Sequence, residues 1–132
     1  TAAAPKLYLP VDPSPAAPDV ASQEGDPGSH LNLVRALLEL RRKHPALGNT
    51  GDFRVLFARK NQYPFVYERT ARGEQFVMVF NPRKEPARAT ALDLPADACY
   101  EPVFATEIVI ARQRGKWIAE APGGSWGIFR RA

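Results

Sequence analysis

The chain has 132 residues and is 45% hydrophobic, 24% charged and 10% aromatic, which suits a globular domain with one real core. Its single cysteine, Cys99, excludes an internal disulfide scaffold, and no apolar run approaches the roughly 18 residues of a membrane-spanning helix. The net charge is +4, but residues 1–28 set Lys6 against Asp12, Asp19, Glu24 and Asp26, so the basic excess lies beyond them. There the bases are interleaved with acids, as on a solvated surface, and neither a nucleic acid nor a membrane is expected as a partner.

Residues 1–28 read as an irregular arm. Pro5, Pro10, Pro13, Pro15, Pro18 and Pro27 interrupt any helix and remove backbone donors, and only Lys6-Leu7-Tyr8-Leu9 could lie against a neighbour. One strong helix follows. Asp26-Pro27 offers a cap and an N1 proline, with Ser29 as the alternative cap. Leu31, Val34, Leu37, Leu38 and the stem of Arg41 recur at helical spacing, and Leu33 and Leu40 widen the stripe. Arg41, Arg42, Lys43 and His44 complement the dipole at the C-terminal end, and Pro45 stops the helix. Such a stripe packs either on the chain's own sheet or on a larger body.

From Gly51 the period changes to two. Strands are expected at 53–59 with Phe53, Val55 and Phe57 inward, at 64–69, at 75–81 as a central strand covered on both faces, and at 87–94. Weaker strands follow at 99–104, 107–112 and 116–119, and Gly123-Gly124 precedes a last one at 126–130. The spacing of turns predicts a mainly β fold, an antiparallel Greek-key-type β-sandwich preceded by one α-helix and the irregular arm.

Catalytic candidates are few. His30 and His44 lie on one helix about 21 Å apart, too far to share a metal, and Cys99 has no CxxC companion. No phosphate-binding glycine loop is present, and Ser125 lacks the GxSxG context of an esterase nucleophile. Asp52, Glu74, Glu85, Asp93, Asp97 and Glu101 sit in turns or on polar faces, and nothing nominates two of them as a glycosidase pair. No catalytic residue, metal or cofactor is therefore expected in this chain. Tyr63, Tyr67, Trp117 and Trp126 could stack on a sugar, although aromatics in alternating strands are usually core or cross-strand pairs. Trp117, beside the Arg114-Gly115-Lys116 hairpin, is the best candidate for exposure.

The order of these segments carries a resemblance. Val20-Ala21-Ser22-Gln23, Asp26-Pro27-Gly28-Ser29-His30-Leu31 and Leu40-Arg41-Arg42-Lys43-His44-Pro45-Ala46-Leu47 are similar to the last barrel loop and the eighth barrel helix of alpha-amylase-family enzymes (glycoside hydrolase family 13). Pro64-Phe65-Val66-Tyr67-Glu68-Arg69, Val79-Phe80-Asn81-Pro82 and Ser125-Trp126-Gly127-Ile128-Phe129 resemble strands of the C-terminal domain that follows. The likeness covers nearly the whole chain, most specifically residues 20–82, and among subfamilies it leans toward alpha-glucosidase- and trehalose synthase-like enzymes. Leu7-Tyr8-Leu9-Pro10-Val11 resembles the loop before the helix, usually with tryptophan where Tyr8 stands, and Val34 replaces a frequent tyrosine.

This resemblance implies three parts: residues 1–28 as a former barrel loop, 29–47 as the terminal barrel-type helix, and 48–132 as the C-terminal β-sandwich. It also explains why the chain starts at Thr1 with Met78 as its only methionine, since the segment would be the end of a longer protein. The family's catalytic carboxylates lie on earlier barrel strands, and no position here matches those motifs. The implied partners are the parent's catalytic barrel and, as that parent's substrate, an alpha-glucan or small alpha-glucoside. Self-association through the exposed helix face and a cytoplasmic setting are also expected. The alternative is an independent carbohydrate-binding module, with Tyr8, Trp117 and Trp126 as contact residues.

Overall fold

A computed structural model describes residues 12, 14, 17–105 and 107–132. The segment containing Lys6, Leu7, Tyr8 and Leu9 lies outside them. Two compact units divide the chain, Thr1–Glu39 and Leu40–Ala132.

In the first unit, a short helix α1, Val20–Glu24, interrupts the stretch expected to be irregular. The eight residues between Pro18 and Pro27 contain no proline, and Asp19 caps the turn by accepting from the Ser22 N–H at 2.7 Å. The second helix, α2, runs over His30–Lys43. Its cap is Ser29, whose Oγ accepts from the Asn32 N–H at 3.3 Å and donates to the Gln23 carbonyl at 2.7 Å. Asp26 instead closes an Asx turn, accepting from the Gly28 N–H at 2.8 Å. Asn32 ties α1 to α2 by donating to the carbonyls of Gln23 at 2.9 Å and Asp26 at 2.8 Å. Before Pro45 the α-helical pattern ends, and Pro45–Leu47 forms a single 3-10 turn.

The second unit is an antiparallel β-sandwich of eight strands. These are β1 (Asp52–Arg59), β2 (Gln62–Ala71), β3 (Glu74–Asn81), β4 (Ala87–Leu92), β5 (Tyr100–Ala105), β6 (Val109–Gln113), β7 (Lys116–Ala121) and β8 (Ser125–Arg131). One sheet has the order β1-β2-β3-β8-β5 and the other β4-β7-β6, so the chain changes sheets in Greek-key fashion. Arg72-Gly73 and Arg114-Gly115 make two-residue hairpin turns with φ of 50°, 82°, 49° and 77°, the left-handed pairing that matches strand twist. The inner faces supply Phe57, Val66, Val77, Val79, Ala89, Leu92, Trp117, Ala119, Ala121 and Phe129 to one core. As expected, β3 is central and covered on both faces: Val77 and Val79 face the other sheet, whereas Phe76 and Met78 belong to a second cluster with Ala46.

One expectation fails within β1. Val55 pairs with Tyr67 but Phe57 pairs with Val66, so Leu56 is an extra residue that resets the alternation. Phe57 is buried, whereas Phe53 and Val55 stand on the opposite face, 54% and 45% exposed. The same device recurs in β4, where Ala91 at φ 58° is the extra residue that turns Leu92 into the core while Thr90 stays on the outer face, and in β5 between Pro102 and Phe104.

Candidate functional site

The outer face of the five-stranded sheet carries the most distinctive surface. Strand alternation brings Phe53 and Val55 of β1, Phe65 and Tyr67 of β2, and Phe80 of β3 together with Trp126 and Ile128 of β8. Tyr67 has ring centroids 4.9 Å from Phe53, 5.3 Å from Phe65 and 6.0 Å from Phe80, the last pair being parallel within 4°. Burial pushes the Tyr67 phenol above its ordinary value, against the charge of Arg69.

The 3-10 turn covers one end of this face. Ala46 is fully buried against Phe76 and Met78, and Leu47 packs beside it. A polar clasp fixes the turn: His44 Nδ1 lies 2.8 Å from Glu74 Oε1, while Glu74 Oε2 accepts from the Ala46 N–H at 3.3 Å. The His44 ring also meets Phe76 edge-on at 4.9 Å. Burial alone would raise the Glu74 pKa. The His44 hydrogen bond, the Ala46 N–H and the charges of His44 and Arg130 outweigh it and hold the carboxyl below its usual range. Arg69 secures the next bend by donating to the carbonyls of Gly48 at 2.6 Å and Gly51 at 2.9 Å. The His-Pro-Ala-Leu run therefore has a structural meaning, as a clasp between the end of α2 and β3.

Several other carboxylates are also held by bases. Glu68, buried on the inner face, accepts from Arg54 Nε at 2.5 Å and Gln75 Nε2 at 2.6 Å, and the same guanidinium reaches Asp93 at 2.6 Å. This network raises the Arg54 pKa, chiefly through the Glu68 hydrogen bond. Glu120 pairs with Arg88 at 3.2 Å, Glu85 with Arg83 at 3.3 Å and Asp97 with Arg131 at 3.7 Å. These three pairs are partly exposed to solvent. No group of three His, Cys, Asp or Glu among the described residues could hold a metal ion.

The two sugar-contact candidates among the described residues, Trp117 and Trp126, do not come together. Tyr8 lies outside the described residues. Trp117, expected near the surface, is only 8% exposed because β7 turns Trp117, Ala119 and Ala121 inward. Its indole N–H donates to the Pro95 carbonyl at 2.9 Å, and Tyr100 packs edge-on at 5.4 Å. Burial pushes that tyrosine's phenol up to about 12. Trp126 is half-buried on the outer face of the other sheet, 6.2 Å from Phe104. The two indoles thus sit on different sheets and share no plane.

The second unit is thus a two-layer sandwich whose large sheet has an apolar outer face capped at one end by a clasped 3-10 turn. No protein-family model matches the chain, and no curated protein does. Solved structures do. The trehalulose synthase MutB from Pseudomonas mesoacidophila MX-45 aligns with 95% of this chain at 27% identity and a TM-score of 0.72. A MutB variant in complex with the substrate sucrose gives the same identity and a TM-score of 0.71. The alpha-amylase from H. orenii shares the fold over 86% of the chain at 18% identity and a TM-score of 0.63. In each case the chain spans about 22% of the other protein's length. The chain is thus structurally similar to alpha-amylase-family enzymes of glycoside hydrolase family 13, the family whose terminal helix and C-terminal β domain its sequence resembles.

Proposed function

We propose that this chain is the non-catalytic C-terminal region of a glycoside hydrolase acting on alpha-glucosidic bonds. Residues 1–28 are a former barrel loop, 29–47 the terminal barrel-type helix and 48–132 the β-sandwich. The observation that carries this reading is the alignment of 95% of the chain onto 22% of an enzyme whose substrate is sucrose. The parent's reaction would be retaining hydrolysis or transglycosylation by a carboxylate pair outside these residues, on an alpha-glucan or small alpha-glucoside.

Two surfaces support a mechanical role toward a barrel. Helix α2 buries none of its residues, and Val34 and Leu38 are 51% and 59% exposed. Phe53 and Val55 extend the aromatic face of the large sheet into solvent. Apolar surface of this kind is favourable to cover and costly to leave wet. In the absence of a barrel, the helix stripe would drive self-association at high protein concentration. The exposed thiol of Cys99 suits a reducing, cytoplasmic setting. The test is the coding sequence upstream of Thr1. A barrel with its carboxylates is expected there, and a reading frame that opens just before Thr1 would overturn the proposal.

An independent carbohydrate-binding module has less support. It needs exposed coplanar aromatics, and of its two named contact residues in the described part of the chain Trp117 is buried and Trp126 is half-buried on the other sheet.

A further inference from the structure

The outer face of the small sheet holds a concavity of about 520 Å³ lined by Arg88, Thr90, Gln113, Arg114, Lys116 and Ile118. Three of these six residues are cations, and none is an acid. The strand register explains the grouping. Arg88 pairs with Glu120 and Thr90 with Ile118 across β4 and β7, and Gln113 pairs with Lys116 across β6 and β7. Residues from three strands and one hairpin tip therefore converge on a single face.

The site is partly organised in advance. Glu120 lies 3.2 Å from Arg88 Nε, and Arg88 Nη2 donates to Gln113 Oε1 at 2.6 Å, so this guanidinium is braced from two sides. The left-handed turn at Arg114-Gly115 sets Arg114 at the rim. Ile118 is 3% exposed although it points outward, which makes it an apolar floor beneath the charged side chains. Arg88 has its carboxylate. Arg114 and Lys116 have no ion-pair partner among the described residues. Two uncompensated cations beside a braced guanidinium, a hydroxyl and an apolar floor suit an anion carried on a compact body. The volume lies within the range of small-molecule sites.

From this geometry we infer that the concavity is a binding site for a phosphate-bearing small molecule. The phosphate oxygens engage Arg114, Lys116 and the free edge of Arg88, and the rest of the ligand lies over Ile118. The inference goes beyond the accessory role proposed above and does not depend on it, because all six residues belong to the small sheet and its β6–β7 hairpin.

The full chain can be titrated with orthophosphate, with a hexose monophosphate and with neutral maltose, following backbone amide signals by NMR. Saturable shifts are expected at Thr90 and at Gln113, Arg114, Gly115 and Lys116 with the phosphate compounds and not with maltose. Tighter binding of the hexose monophosphate assigns an ester as the ligand, and tighter binding of orthophosphate assigns the free ion. The double variant Arg114→Gln, Lys116→Gln changes only exposed side chains, so it should fold, and its affinity should fall about tenfold or more. Raising the salt concentration should weaken binding as well. Shifts that never saturate, shifts spread evenly over the other basic residues, or an unchanged affinity in the double variant would overturn the assignment.

Discussion

The clasp between His44 and Glu74 gives the most demanding test of the structural reasoning. Replacing Glu74 by Gln keeps the shape and one acceptor but removes the charge that attracts His44. Both side chains are largely buried, at 17% and 20% exposure, with a 2.8 Å contact, so screening by solvent is limited though not absent. A hydrogen bond to a charged group contributes about 1.5–3 kcal/mol when well buried, and partial exposure brings the expected loss to about 1–2 kcal/mol at pH 7. For a chain of this size that loss corresponds to about 3–8 °C in Tm. The pH dependence has a definite sign. The folded pKa of Glu74 is depressed, so its contribution is complete above the unfolded value of about 4.3 and disappears as pH falls through the lower folded value. The difference between wild type and E74Q should therefore be full at pH 7 and smaller at pH 3, because below the unfolded value the unfolded chain takes up the proton more readily than the folded one. Urea unfolding of wild type, H44A, E74Q and the double variant at both pH values measures it. A coupling energy indistinguishable from zero at pH 7, or a gap that persists unchanged at acid pH, would refute the clasp.

Three further outcomes follow from close packing and from buried polar groups. A Cβ added at Gly123 would lie 1.8 Å from the Lys84 carbonyl oxygen and 2.4 Å from its carbon, so Gly123→Ala should cost about 2–4 kcal/mol by the same urea assay. Fully buried Asn81 donates to the carbonyls of Glu85 at 2.9 Å, Ala121 at 3.1 Å and Pro122 at 2.8 Å, so Asn81→Leu should cost about 2–4 kcal/mol by stranding them. Titration with maltooligosaccharides should leave tryptophan fluorescence unchanged. A saturable change abolished in Trp126→Phe would instead favour the binding-module reading.

The alternation of apolar residues and the turn residues between them located all eight strands, because periodicity and turn chemistry are local properties. The Arg114-Gly115 hairpin was equally readable, since glycine beside a polar residue favours that turn. The side on which a residue emerges was less so. Nothing in Phe53-Arg54-Val55-Leu56-Phe57 marks Leu56 as an extra residue, yet that one insertion sends Phe53 and Val55 to the outer face. Trp117 looked like a hairpin neighbour and is enclosed by Pro95 and Tyr100, which are remote in sequence. The basic concavity depends on β4 pairing with β7, a non-local contact that no motif announces. The cap of α2 was visible only as a choice between Asp26 and Ser29, and it was decided by which side chain reaches the Asn32 N–H.

Turnover by the purified chain tests the supporting role most directly. Incubated with p-nitrophenyl alpha-glucoside, maltose and sucrose, it should release no product above the buffer rate if, as proposed, the reacting carboxylates belong to another part of the protein. Hydrolysis that rises in proportion to the purified chain, and that is lost when one of its own acidic residues is replaced by the amide, would contradict the account.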